Sequence, residues 1–163
     1  MLIISGAYGS EMPILKYSTN VKNMGWQPSV TSGMKAGTTG QSLSLETLNL
    51  AILNATLPGT VECSAHVQNI GWKDYVGSGT NSGTTGQSLQ LEAVRIRLTD
   101  ALAENYDIYY RVHSQNYGWL SWAKNGENAG TEGLSLRLEA IKIVVVTKGS
   151  AAPGSTDQPF VKK

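Results

Sequence analysis

The apolar residues in the most hydrophobic stretches of this chain fall on alternate positions and then change phase. Leu43 and Leu45 share one parity, while Leu48, Leu50 and Ile52 take the other. The same run returns as Leu89 and Leu91 followed by Val94, Ile96 and Leu98, and again as Leu136 and Leu138 followed by Ile141, Ile143 and Val145. A period of two predicts strands, because a helix would repeat its apolar face every three or four residues. A one-residue slip would turn half of each strand to the wrong face. The Glu-Thr or Glu-Ala pair between the halves is therefore predicted to be a β-bulge or corner.

Each apolar run closes a longer repeat. NMGWQPSVTSGMKAGTTGQSLSLE, NIGWKDYVGSGTNSGTTGQSLQLE and NYGWLSWAKNGENAGTEGLSLRLE begin at Asn23, Asn69 and Asn116, and their tryptophans lie 46 and 47 positions apart. Strand-like segments precede them at Leu15 to Val21, Val61 to Val67 and Ile108 to Ser114. Glycines follow at fixed offsets: Gly33, Gly79 and Gly126, then Gly37, Gly83 and Gly130, then Gly40, Gly86 and Gly133. Such spacing predicts tight turns with positive φ and a hairpin within each unit. Four strand-like pieces per unit, three times over, predict an all-β domain with pseudo-threefold symmetry, since a single unit cannot bury its apolar face. A β-trefoil is the expected form and a β-prism the alternative; both hide sheet edges by running round an axis. The expected domain is 1–147, with units at about 13–57, 58–103 and 104–147, and 148–163 is expected to be a flexible tail.

Composition narrows the function classes. Thirteen basic residues against 12 acidic ones give a net charge of +1 with no basic run, so no nucleic-acid partner is expected. One cysteine, Cys63, supplies neither a disulfide framework nor a metal cluster, and no metal or cofactor is expected. No stretch approaches the ~20 apolar residues of a membrane span, and the opening MLIISGAYGSEM, with only Leu2 to Ile4 apolar, does not read as a signal peptide.

The pattern YRVHSQNYGWLSWAKNGENAGTEGLSLRLEAIKIVV, with N-x-G-W, G-x-x-x-G-T-x-G and L-x-L-E at fixed spacing, resembles the clostridial hydrophobic repeats with a tryptophan, the ChW repeats. The resemblance covers all three units. It implies an interaction domain outside the cell or at the surface of a Gram-positive bacterium, without naming a ligand. Cell-wall or host glycans, or a protein partner, are the ligands weighed.

Trp26, Trp72 and Trp119 read either as platforms for sugar rings or as buried locks between hairpin and barrel, and burial is the expectation. Tyr75 and Trp122, where the first copy has Ser29, are the expected exposed aromatic contacts; Tyr117 and Leu120 would join Trp122 in an apolar patch if the partner is a protein. Asn23, Asn69 and Asn116 could offer amides to hydroxyls, but turn backbone is their expected task. Glu46, Glu92 and Glu139, if buried at the bulges, must be paired; freed backbone N–H groups or Thr and Ser hydroxyls are the expected partners. Gly37, Gly83 and Gly130 are expected to be structural. The repeated carboxylates are related by symmetry, not paired for acid/base work, and His66 and His113 occupy equivalent places, so no enzyme is expected. Function is expected where the copies disagree: at Asn20, His66 and His113, and at Ser29, Tyr75 and Trp122.

Overall fold

The computed structural model describes residues 12–163, so the opening segment read against a signal peptide lies outside the described residues. Unit 1 holds β1 (Ile14–Val21), β2 (Gly25–Trp26), β3 (Val30–Thr31), β4 (Ala36–Gly37) and β5 (Leu45–Leu53). Unit 2 holds β6 (Val61–Val67), β7 (Gly71–Trp72), β8 (Asn81–Gly83) and β9 (Leu91–Leu98). A six-residue helix, α1 (Asp100–Asn105), connects it to unit 3, which holds β10 (Tyr106–Ser114), β11 (Gly118–Trp119), β12 (Ala123–Lys124), β13 (Ala129–Glu132) and β14 (Leu138–Thr147). A last strand, β15 (Phe160–Lys162), follows.

The first and last long strands of each unit pair antiparallel, β1 with β5, β6 with β9 and β10 with β14. The glycine-punctuated strand does not stay with them. β4 of unit 1 joins β14 of unit 3, β8 of unit 2 joins β5 of unit 1, and β13 of unit 3 joins β9 of unit 2. The expected hairpin within each unit is thus replaced by a cyclic exchange that sews each unit to its neighbour. Three sheets result, and they do not close into a barrel. What the pairing establishes is an all-β chain of three cyclically related units.

The seams explain the glycines. Gly37, Gly83 and Gly130 have φ of +94°, +109° and +120°, and a Cβ on each would stand 2.5 Å from the carbonyl oxygen of Glu139, Glu46 and Glu92, respectively. A side chain would be both conformationally strained and in collision with a neighbouring unit's backbone. These glycines serve strand-to-strand approach, not the turns expected of them. Next to them, the amides of Gly33, Gly79 and Gly126 donate to the carbonyls of Ile143, Leu50 and Ile96, each at 2.7 Å.

The predicted bulges are present. Register slips at Asn20/Val21, His66/Val67 and His113/Ser114 leave Glu46, Glu92 and Glu139 without an opposing residue. The slip lets both halves of the apolar run face inward: Leu45, Leu48 and Leu50 with Leu91, Val94, Ile96, Leu138, Ile141 and Ile143 are buried together. Tyr17, Cys63 and Tyr110 occupy one equivalent position in this core. The Tyr17 hydroxyl donates to Met34 O and accepts from Ile143 N at 3.2 Å, and the Tyr110 hydroxyl donates to Glu127 O. Burial pushes the Cys63 thiol up to about 12, so it remains protonated and acts as a small apolar side chain.

The segment from Lys148, expected to be a flexible tail, folds back instead. β15 runs parallel to β13, and Ser121 N donates to Gln158 O, Trp122 N to Ser155 O, and Gly130 N to Pro159 O. Its Gly, Ser and Pro content signals conformational freedom in isolation, and these backbone bonds offset the cost of ordering it.

Candidate functional site

The outer face of each unit is built around its Gly-Trp strand. The chain leaves the long strand through a turn closed by Met24 N to Val21 O, Ile70 N to Val67 O and Tyr117 N to Ser114 O, at 3.0 to 3.1 Å. Asn23, Asn69 and Asn116 sit in these turns with φ of 67°, 67° and 71°, a conformation that Asn tolerates better than most residues. They are exposed at the turn and belong to its backbone. The turn places Trp26, Trp72 and Trp119 directly across from Asn20, His66 and His113.

None of the three tryptophans is a core residue. Trp26 is 44% exposed, and Trp72 and Trp119 are half-buried. Their two-residue strands lie on the outside of the sheets, so burial as a lock is corrected. The reverse holds for Trp122, expected to be exposed: it is 7% exposed, covered by Gly154, where an added Cβ would stand 3.1 Å from the indole Nε1. Leu120 is buried as well, which dissolves the expected patch; Tyr117 alone of the three is exposed, with Met24 and Ile70 exposed at the equivalent turn positions.

In unit 2 the outer face is filled by a ladder of alternating rings and cations. The Arg95 guanidinium lies 4.3 Å from the Trp72 ring centre and 5.4 Å from that of Tyr75, and the Arg97 guanidinium lies 3.7 Å from the Tyr75 ring centre. All three contacts are favourable through the ring quadrupole. Arg95 Nε is held by Ser64 Oγ at 3.2 Å and Arg97 Nε by Glu62 at 2.8 Å. Trp72 Nε1 donates to Glu132 of unit 3 at 3.0 Å, and this bond, with Lys162 nearby, holds the Glu132 carboxyl below its ordinary range. Unit 3 repeats the theme with different cations: Lys142 Nζ lies 5.0 Å from the Trp119 ring, and Arg111 stands between Trp119 at 5.5 Å and Trp122 at 5.6 Å.

Beneath the tryptophans of units 2 and 3 lie bulge carboxylates paired by side chains and not by the expected backbone or hydroxyl donors. His113 Nδ1 is 2.9 Å from Glu139 Oε1, and Arg137 Nε donates to Oε2 at 2.8 Å. His66 Nδ1 lies 3.2 Å from Glu92 Oε1, within ion-pair distance but out of line for a hydrogen bond, and Gln90 Nε2 donates to Oε2 at 3.0 Å. Each imidazole meets its tryptophan edge to face, at 5.3 Å and 83° in unit 2 and 5.4 Å and 86° in unit 3. His66 and His113 therefore hold a buried carboxylate and brace an indole.

Unit 1 has none of this filling. Asn20 replaces the histidine, Ser44 replaces Gln90 and Arg137, and Glu46 has no side-chain partner among the described residues. No cation or ring lies against Trp26 among the described residues. Ser29 and Asn49 stand where unit 2 has Tyr75 and Arg95, and a depression of about 210 Å³ opens there, lined by residues that include Lys16, Ser18, Ser29, Asn49, Ala51 and Leu53. Two other hollows, about 580 Å³ beside Glu127 and Phe160 and about 250 Å³ beside Arg97 and Lys148, lie away from the unit 1 face, and none of the three has a tryptophan in its wall.

Sequence reasoning missed Arg95, Arg111, Lys142, Glu132 and Asn49. The signal was present for the position that separates the units: Asn49, Arg95 and Lys142 fall at one repeat position, on the outward parity of the last strand. Among the described residues no group of three His, Cys, Asp or Glu side chains converges as metal ligands, and no helix is long and apolar enough to cross a membrane.

A family model described as Clostridial hydrophobic W matches residues 20–54, 66–100 and 113–147, more than half of the chain and one match per unit. No curated protein and no solved structure matches.

Proposed function

The chain belongs to the Clostridial hydrophobic W family, and we propose that it is a non-catalytic, lectin-like binding module that takes carbohydrate on the outer face of unit 1, at the surface of the cell or outside it. The observation that carries this reading is the uncovered indole of Trp26, 44% exposed. An indole face packs against the apolar C–H face of a sugar ring, and amide groups beside it, here Asn20 across the strand pair, serve the hydroxyls. Trp72 and Trp119 have cations lying against their rings, so the three shallow sites expected from symmetry reduce to one open site and two self-occupied ones. Cell-wall and host glycans are the ligand classes to test.

A glycan array followed by calorimetry on the hits tests the proposal. Millimolar or tighter binding is expected, abolished by Trp26→Ala and retained by Trp72→Ala. Absence of binding across the array at millimolar ligand, or equal loss from both variants, would remove the reading.

A second reading has its own observation. Met24, Ile70 and Tyr117 are large, exposed and threefold-related at the three turn tips. Such residues suit a protein partner, including another copy of this chain. Light scattering that finds a stable oligomer, dispersed by Ile70→Ser, would favour assembly over glycan binding.

A further inference from the structure

The three outer faces share one frame, so two of them display what the third leaves out. In unit 2 the Tyr75 ring has both Arg95 and Arg97 near it, at 5.4 and 3.7 Å. In unit 3 the equivalent Trp122 rests beside Arg111. Unit 1 has Ser29 at that position, Asn49 for Arg95 and Ala51 for Arg97, and the space these truncations leave is the depression of about 210 Å³.

We propose that this depression is a subsite for one pyranose ring of the ligand, contiguous with the Trp26 platform, in the seat that the other units fill with their own aromatic side chain. The proposal rests on the carbohydrate reading and adds where a second sugar residue sits and what it touches. Contiguity follows from the ladder. Arg95 contacts both Trp72 and Tyr75, and Asn49, at the same repeat position, lines the seat, whose wall does not include Trp26 itself. Lys16, Ser18 and Asn20 alternate along the outward side of β1, and Asn20 is the cross-strand partner of Trp26.

Size and lining select the occupant. The volume is below the ~300 Å³ at which drug-sized pockets begin, so it admits one ring and not a chain. Ala51 and Leu53 give an apolar wall, while the Lys16 ammonium, the Ser18 and Ser29 hydroxyls and the Asn49 amide give a polar one. Asn49 Nδ2 is already committed to Gly79 O at 3.1 Å and Asn81 Oδ1 at 2.7 Å, which orients the amide and leaves its oxygen as an acceptor. A bare aryl ring buried here would strip water from these groups and return nothing, at a cost of about 1–3 kcal/mol for each one left unsatisfied. A sugar ring has an apolar face for Ala51 and Leu53 and hydroxyls for the rest.

The test uses the full chain and manno-, cello- and chito-oligosaccharides of one to four residues. The series that binds should gain about tenfold in affinity between one and two residues, the second ring entering the seat. Ser29→Trp plugs the seat as unit 3 does and should weaken the disaccharide about tenfold, to the level of the monosaccharide, without lowering Tm, whereas Asn49→Arg copies the cation that lies against Trp72 in unit 2 and should weaken both sugars. Ser29→Ala should bind within about twofold of the parent. Methyl resonances of Ala51 and Leu53 in the unaltered protein should shift at saturation, a readout independent of any variant's folding. If Trp26→Ala abolishes binding while Ser29→Trp leaves it unchanged, or those methyls do not move, the subsite is wrong and the carbohydrate reading stands. If no oligosaccharide saturates the unaltered protein, that reading falls and the subsite with it.

Discussion

Unit 1 and unit 2 are built on one frame and present opposite surfaces. Inward, their residues are near-copies: Leu45 and Leu91, Leu48 and Val94, and Leu50 and Ile96 are all buried at equivalent places. Outward, unit 2 stacks Trp72, Arg95, Tyr75 and Arg97, whereas unit 1 sets Trp26 beside Asn49, Ser29 and Ala51. The difference follows from what each face must satisfy. An inward residue packs in one core shared by all three units, so a change there must fit close-packed neighbours. An outward residue answers only to its own sheet and to solvent. Divergence therefore collects on the outside, where one unit can be emptied while the others plug themselves.

That contrast can be broken at the frame. Gly37→Ala, Gly83→Ala or Gly130→Ala should each cost at least about 3 kcal/mol in urea unfolding, by strain at positive φ together with the carbonyl collision. The three losses should be alike although the outer faces differ; tolerance at Gly37 alone would mean that unit 1 is sewn in differently. Beneath the tryptophans the units should separate. Glu139→Gln weakens a carboxylate held by His113 and Arg137 and should cost about 2 kcal/mol, Glu92→Gln about 1, and Glu46→Gln under about 0.5, read from melting temperatures. An equal cost at all three positions would give Glu46 a partner as strong as those of Glu92 and Glu139. On the outer face, the double variant Tyr75→Ser and Arg95→Asn should lose about 1 kcal/mol of stability and raise the glycan stoichiometry from one towards two.

An effect confined to acid pH isolates a charged cluster in unit 3. Asp107, buried at the start of β10, stands where units 1 and 2 have Ile14 and Thr60. Burial pushes its pKa up, but hydrogen bonds from Asn125 at 2.8 Å, from the Gly149 amide at 2.9 Å and from Lys148 at 2.9 Å outweigh this and hold it at about 2. A depressed native pKa stabilises the fold above the unfolded value, ~3.9, and that contribution fades as pH falls towards about 2. Asp107→Asn should flatten this acid limb of the stability curve; an unchanged limb would locate the titration elsewhere.

The long strands and the bulges were legible because alternation over seven or more residues fixes which side chains share a face. The parity change at Glu46, Glu92 and Glu139 marks the bulge directly, since one extra residue is what restores the second half of the run to the buried face. The tryptophans were not legible. A two-residue Gly-Trp strand carries no alternation to set its phase, so its large apolar side chain reads as core. Trp122 misled for the opposite reason: what covers it, Gly154 and Ser155, lies in a segment whose composition promises freedom. The seat in unit 1 was half legible. Ser29, Tyr75 and Trp122 were singled out as the position where copies differ, but that the small residue marks the open site needed the stacked guanidinium groups, which only the fold brings next to the rings.

The strand exchange also sets an order of events for a chain leaving the ribosome. β8 can join β5 as soon as unit 2 has emerged, but Ala36 waits for Ile141. Such distant pairing is slow to form, and until it does the edge of β4 is open to wrong partners. Deleting the last copy would leave that edge with nothing to join. The number of copies is then fixed by the need to close the circle, and not by how many ligands the protein holds.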